Sequence, residues 1–262
     1  MAIHSTAVID PGADLAPDVE VGAYAVIEKN VQVSEGCQVG PFAVLREYTI
    51  LGPRCTVDAG AVLGGLPQDA KFKGERSYLR LGADNQVREF VTLHRASGEE
   101  ASTVIGDSCM IMAYAHAGHN CTIGDEVLIA NSVALSGHCT IEDYVTIGGL
   151  AALHQYTSVG TMAMIGGLSR IVRDCPPYMI VEGNPAKPRG VNLRGLMRRG
   201  VSEAARDSLR RAYRMLFRSR HNISDAIAQI LAQEPDPGPE LLHLIEFMRG
   251  MDQGSRGRQR NP

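Results

Sequence analysis

From Ile3 to Ile171, stepping by six residues lands on Ile, Leu or Val at 25 of 29 positions. The exceptions are Asp69, Glu75, Glu99 and Ala117. The next residue is often Gly, as at Gly22, Gly40, Gly82, Gly106 and Gly124, and the fourth after the aliphatic is small or β-branched, as at Ala25, Val31, Ala43, Val127 and Val133. A period of six suits neither an amphipathic helix, whose apolar stripe recurs every 3.6 residues, nor an alternating strand. It predicts an all-β parallel β-helix of hexapeptide repeats, in which each hexad is a short strand and a turn and three hexads close a triangular coil. Coils stack at the parallel-strand spacing of about 4.8 Å. Each coil buries few side chains, so stability comes from stacking many of them.

The beat is interrupted within residues 64–78 and 94–103, and both stretches read as loops leaving the prism. Loops on a rigid scaffold are where function tends to sit.

A net charge of −3 gives no reason to expect a nucleic-acid partner, and no apolar run approaches the roughly 18 residues of a membrane span. The opening residues carry no basic, apolar secretory pattern, so the expected compartment is the cytoplasm, where thiols stay reduced. Cys37, Cys55, Cys109, Cys121, Cys139 and Cys175 all occupy the small slot four after the beat. That is a packing position, and the spacing offers no zinc motif.

The histidines avoid the interior slots. Folded onto an 18-residue coil, His116, His119, His138 and His154 take positions 8, 11, 12 and 10, which lie along one edge of the prism. Gly137 and Gln155 stack in line with His119. His94 falls at position 4, on a different face, and is expected to reach the others only through a loop or across a subunit boundary.

The pattern sets the β-helix at 1–176. Residues 177–190 read as a connector rich in turn residues, 191–250 as a helical domain and 251–262 as a flexible tail. Ser224 is the expected N-cap of the segment DAIAQILAQ. Residues 187–220 hold eleven Lys or Arg against two acids, a surface suited to a prism cap, to phosphates or to an acidic protein.

The segments QDAKFKGE, VTLHRA, AHAGHNCTIG, VALSGH, AALHQY and GVNLRGLMRRG occur in this order, and together they resemble the UDP-N-acetylglucosamine O-acyltransferases that begin lipid A synthesis in Gram-negative bacteria. The likeness covers nearly the whole chain. It implies a homotrimer of left-handed parallel β-helices with clefts between subunits. It implies transfer of an (R)-3-hydroxyacyl group from acyl carrier protein to the sugar 3-hydroxyl of UDP-N-acetylglucosamine. The acyl group arrives as a thioester, and neither a resident cofactor nor a metal is implied.

On this resemblance His119 matches the general base and the Gly137 backbone N–H the oxyanion donor. Asp69, Lys71, His94, His116 and Gln155 match substrate-binding residues, and His138 and His154 line the site. Asn192, Arg198 and Arg199 match cap residues that reach a neighbour's nucleotide. Gly167 matches the position that sets acyl length, and a small residue there leaves room for a long chain. Asn120 stands where well-known members carry Asp, and Arg194 where they carry an acid. Some members form an amide on a 3-amino sugar instead. Rival readings are a zinc carbonic anhydrase built on a similar β-helix, which stoichiometric metal would reveal, an acetyl-CoA-dependent acetyltransferase, and a non-catalytic assembly protein.

Overall fold

The computed structural model describes residues 2–254. Two-residue strands alternate among three sheets. Glu20–Val21, Val26–Ile27 and Gln32–Val33 follow one another in sequence, yet each pairs in parallel with the strand 18 residues later. Among the described residues the three sheets hold eleven, nine and eight strands. They form the walls of a left-handed parallel β-helix, called here the first, second and third sheets in the order the chain visits them. The aliphatic beat fills the interior: Ile27, Leu45, Leu63, Leu93 and Leu135 are all but inaccessible. The six cysteines are free and buried, as their slot requires. Their thiols donate to corner carbonyls, Cys37 to Gly52 O and Cys109 to Gly124 O, each at 3.1 Å.

The turns explain the hexad's remaining slot. All the non-glycine residues with positive φ except Glu100 and Tyr178 have residue numbers divisible by six, three past the beat. This left-handed conformation costs a Cβ-bearing residue on the order of 1 kcal/mol, and the parallel ladders on both sides hold it in place. It turns one sheet into the next. Tyr24, Phe42, Phe90, Tyr114, Leu150 and Leu168 mark the corner from first to second sheet; Asn120, His138 and Tyr156 that from second to third; Glu126, Tyr144 and Met162 that from third to first.

The two loops lengthen individual coils. Val62 pairs with Thr92, thirty residues on, and Thr92 with His116, twenty-four residues on. The hexad phase survives, but the 18-residue phase shifts. This corrects the placement of His94. It ends the strand Thr92–His94 in the second sheet, in the row later occupied by Gly118, Ser136 and His154, on the same edge as the other histidines.

The segment expected as a connector is instead sheet. Met179–Gly183 and Ala186–Val191 form an antiparallel hairpin that extends the first sheet, Ile180 pairing with Met164. Pro188 is tolerated because the second hairpin strand is the sheet edge, where a missing N–H breaks no ladder. Four helices follow: α1 Leu193–Arg198, α2 Glu203–Phe217, α3 Ile223–Gln233 and α4 Pro239–Asp252. Asn222, not Ser224, caps α3: its side chain accepts from the Asp225 N–H at 2.8 Å, while the Ser224 hydroxyl bonds Asp252. Of the segment expected as a tail, Met251 is buried within α4, and residues from 255 onward lie outside the described residues. His243 of α4 bonds Tyr178 at 2.9 Å and Glu142 at 3.1 Å, joining the helices to two coils of the prism.

Candidate active site

His116–Ala117 is a strand of the second sheet, and the chain turns the corner at His119 and Asn120. A strand's outward positions alternate with its buried ones, so His116 faces out while Ala117 faces in. One coil later Gly137 and His138 repeat the turn, and the His138 N–H donates to His119 O at 2.9 Å. The His119 ring lies over Gly137: a Cβ there would come within 2.7 Å of Nε2. No carbonyl accepts the Gly137 N–H among the described residues. An imidazole nitrogen and an unpaired backbone donor thus share one patch of surface. That pairing can remove a proton from a nucleophile and receive the oxyanion it generates.

The other histidines close around this point. The His119 and His138 rings meet edge to face at 5.1 Å, and His138 stacks on Tyr156 at 4.6 Å. His94 and His116 meet edge to face at 4.8 Å, with His116 Nδ1 bonded to the Thr92 hydroxyl at 2.8 Å. Burial pushes His94 down to about 4, helped by the neighbouring His116 and His119. It is therefore neutral at physiological pH, and its buried Nδ1 has no hydrogen-bond partner among the described residues. Burial also lowers His116 and His138. Among the described residues no three His, Cys, Asp or Glu converge in a metal-ligand arrangement.

The first loop brings Asp69 to the same place. The Lys71 N–H donates to its carboxylate at 2.9 Å, and this bond, with help from Ser97 and His119, holds Asp69 below the usual carboxylate range. Lys71 itself is exposed. Gln155 is exposed in the row of His119 and Gly137, and His154 is half-buried beside it with Nδ1 3.3 Å from Gln155 O. His94 and His154 occupy one row three coils apart, about 14 Å at the parallel-strand spacing.

Three expected residues lie elsewhere on the chain. Asn192, Arg198 and Arg199 flank a cleft of about 140 Å³ at the corner from third to first sheet, with Glu126 and Tyr144. Arg199 pairs with Glu126 at 2.6 Å and lies 4.2 Å from the Tyr144 ring centre. Asn192 caps α1 and donates to Met162 O at 2.8 Å. Gly167 sits at the remaining corner, where an added Cβ would meet Gly149 O at 3.2 Å.

Sequence reasoning missed Arg95 and Ser97. Arg95 is 6% exposed, its guanidinium between the rings of Tyr48 at 5.2 Å and Phe72 at 5.6 Å, and it pins the first loop to the second. Its only signal was its place beside His94. Ser97 meets Asn120 through its backbone, which leaves no mark on residue type, and its side chain helps hold Asp69 in the charged form.

Residues 174–258 match the family model described as UDP-N-acetylglucosamine O-acyltransferase, domain 2, and residues 102–137 match the bacterial transferase hexapeptide model. The chain is 52% identical over 262 residues to the acyl-[acyl-carrier-protein]–UDP-N-acetylglucosamine O-acyltransferase of Ralstonia nicotianae, covering 96% of this chain and 97% of that one. The enzyme of the same name from Paraburkholderia xenovorans is 45% identical, covering 96% and 98%. Among solved structures, LpxA from Acinetobacter baumannii superposes with a TM-score of 0.90 at 36% identity over 95% of this chain and 97% of that one. The UDP-N-acetylglucosamine acyltransferase from Bacteroides fragilis does so with a TM-score of 0.91 at 33% identity over 94% and 96%. With full-length relatives at this identity, the chain belongs to the acyl-[acyl-carrier-protein]–UDP-N-acetylglucosamine O-acyltransferase family.

Proposed function

We propose that this chain transfers an (R)-3-hydroxyacyl group from acyl carrier protein to the 3-hydroxyl of the sugar of UDP-N-acetylglucosamine, the entry step of lipid A synthesis, as a cytoplasmic homotrimer. The observation that carries the mechanism is His119 Nε2 seated over Gly137, whose N–H has no hydrogen-bond partner among the described residues. Nε2 takes the proton of the sugar hydroxyl as its oxygen attacks the thioester carbonyl carbon. The Gly137 N–H receives the negative charge on the carbonyl oxygen. Collapse of the tetrahedral centre breaks the carbon–sulfur bond, and the imidazolium returns its proton to the departing pantetheine thiolate. Asp69 and Lys71 reach over the site from the first loop to hold the sugar nucleotide, with His94 and His116, both favouring the neutral form, as hydrogen-bonding groups at the floor.

The distribution of residues over the corners supports the trimer. His119 and Gly137 lie at the second-to-third corner, Asn192, Arg198 and Arg199 at the third-to-first corner, and Gly167 at the first-to-second corner. One chain cannot bring separate corners of a rigid prism to one substrate, so the cap residues of one subunit serve the histidines of another. Replacing Arg198 with Ala should raise KM for the sugar nucleotide by roughly 10- to 100-fold, the size of a lost charge-assisted bond, with KM for the acyl donor little changed. Steady-state kinetics with each substrate varied in turn checks this. Gly167→Met should shift the preferred acyl chain to shorter lengths, because the new side chain fills the corner the acyl tail must pass. Competition among carrier proteins bearing different acyl chains reads that shift.

The function itself is tested by offering purified protein several (R)-3-hydroxyacyl carrier proteins with UDP-N-acetylglucosamine or its 3-amino analogue. An ester product is expected. An amide from the 3-amino analogue alone would move the assignment to N-acylation, and no product from either would overturn it.

A further inference from the structure

Asn120 occupies a left-handed turn position next to the proposed base, and its side-chain amide is bonded on every side the structure offers. Its Oδ1 accepts from the Ser97 N–H at 2.9 Å, and its Nδ2 donates to Ser97 O at 3.1 Å. The same Oδ1 stands 2.8 Å from His119 Nδ1. Its own backbone N–H donates to the Thr103 hydroxyl at 2.8 Å.

An amide's oxygen and nitrogen are distinguished only by their partners. Here the partners are backbone atoms whose roles are not in doubt. Rotating the amide by half a turn would set Nδ2 against the Ser97 N–H, two donors facing, and Oδ1 against the Ser97 carbonyl, two acceptors facing. Both contacts would be lost and both groups left unsatisfied. The orientation with Oδ1 toward His119 is therefore the one the second loop enforces. An acceptor at Nδ1 requires that Nδ1 carry the proton, which leaves the lone pair on Nε2, the nitrogen over Gly137.

We propose that Asn120 is a positioning residue that holds His119 in the Nδ1–H tautomer, and that the Ser97 backbone of the second loop sets the amide that does so. The inference rests on the reading of His119 as the base. A neutral amide serves, because what the step needs from residue 120 is an acceptor in a set direction. Asp69 from the first loop and His94 and His138 from the prism wall are the other titratable groups facing this ring. None of them contacts Nδ1 among the described residues.

The first test needs no variant. Ring nitrogen-15 shifts or neutron diffraction of the wild-type assembly should place the proton on Nδ1 of His119, and an Nε2–H tautomer overturns the proposal. The second compares Asn120→Leu with Asn120→Asp. Leu keeps the size and removes the acceptor, so kcat should fall at least about tenfold, as loss of a tautomer-holding partner does in other His-based sites, with KM for the sugar nucleotide changed less than twofold. Asp keeps the acceptor toward Nδ1 and the Ser97 N–H but loses the donor to Ser97 O, so it should recover part of that loss. Asn120→Leu turning over at the wild-type rate, or Asn120→Asp no faster than Asn120→Leu, overturns the proposal. His119→Ala run alongside separates the two readings. Full turnover there removes the base itself, whereas an inactive His119→Ala beside an unaffected Asn120→Leu removes only the role of Asn120.

Discussion

His119→Ala should cut turnover by roughly 10²–10⁴-fold, the range that positioned general-base catalysis supplies, and leave thermal melting nearly unchanged. The two halves of that expectation have separate causes. The ring stands outside the prism, and its contacts are Asn120, His138 and the surface of Gly137. The core beneath it is filled by Ala117, Cys121 and Ile123, which the substitution does not touch. What disappears is the imidazole nitrogen seated over Gly137. The neighbours cannot take its place: His94 is half-buried and its pKa is pushed down to about 4, which makes it a weak base, and the Nδ1 of His116 is bonded to Thr92. Turnover by the purified variant and its melting curve are the measurements. A variant that kept near-wild-type turnover would remove the mechanism.

Gly137→Ala should be nearly as damaging, with a loss of roughly 10²–10³-fold, comparable to removing one oxyanion donor. The new Cβ would stand 2.7 Å from Nε2, 2.8 Å from Cε1 and 3.1 Å from Cδ2 of His119. Cβ contacts that short do not persist, so the imidazole must swing away. Asn120 holds its Nδ1 side and His138 its edge, so the swing breaks the alignment of base and donor. The backbone is not the cause, because Gly137 is not among the glycines with positive φ and Ala can adopt its conformation. Gly190 is a matched control, since it lacks positive φ and an added Cβ meets nothing within 4 Å. Gly190→Ala should turn over normally, and equal losses in both variants would reject the steric account of Gly137.

The hexad beat was the clearest message in the sequence, because interior slots of a stacked coil accept only aliphatic or small side chains and so print their period directly. The same logic made the histidines legible: side chains kept out of interior slots must face outward, and on a regular coil the edge they share follows from their residue numbers. His94 was misread for a related reason. The first and second loops add whole hexads to their coils, so the six-residue phase passes through them unchanged while the coil register shifts. Ser224 was misread as a cap because Asn222, two residues earlier, offers the same chemistry, and only the direction of chain entry chooses between them. The hairpin at 179–191 was hidden by its prolines and glycines, which suit an edge strand as well as a loop.

Residue types and spacing alone were enough to determine the solenoid, its buried thiols and the outward-facing imidazoles, since each is a consequence of local packing repeated many times. Three things were decided only by tertiary structure. The seating of Nε2 over Gly137 depends on the turn geometry of two successive coils. The orientation of the Asn120 amide depends on the backbone of a loop 23 residues earlier in the chain. The separation of cap arginines from histidines depends on which corner the helical domain meets. All three are contacts between segments distant in sequence, and such contacts are set by the stacking of coils rather than by the preferences of the residues that make them.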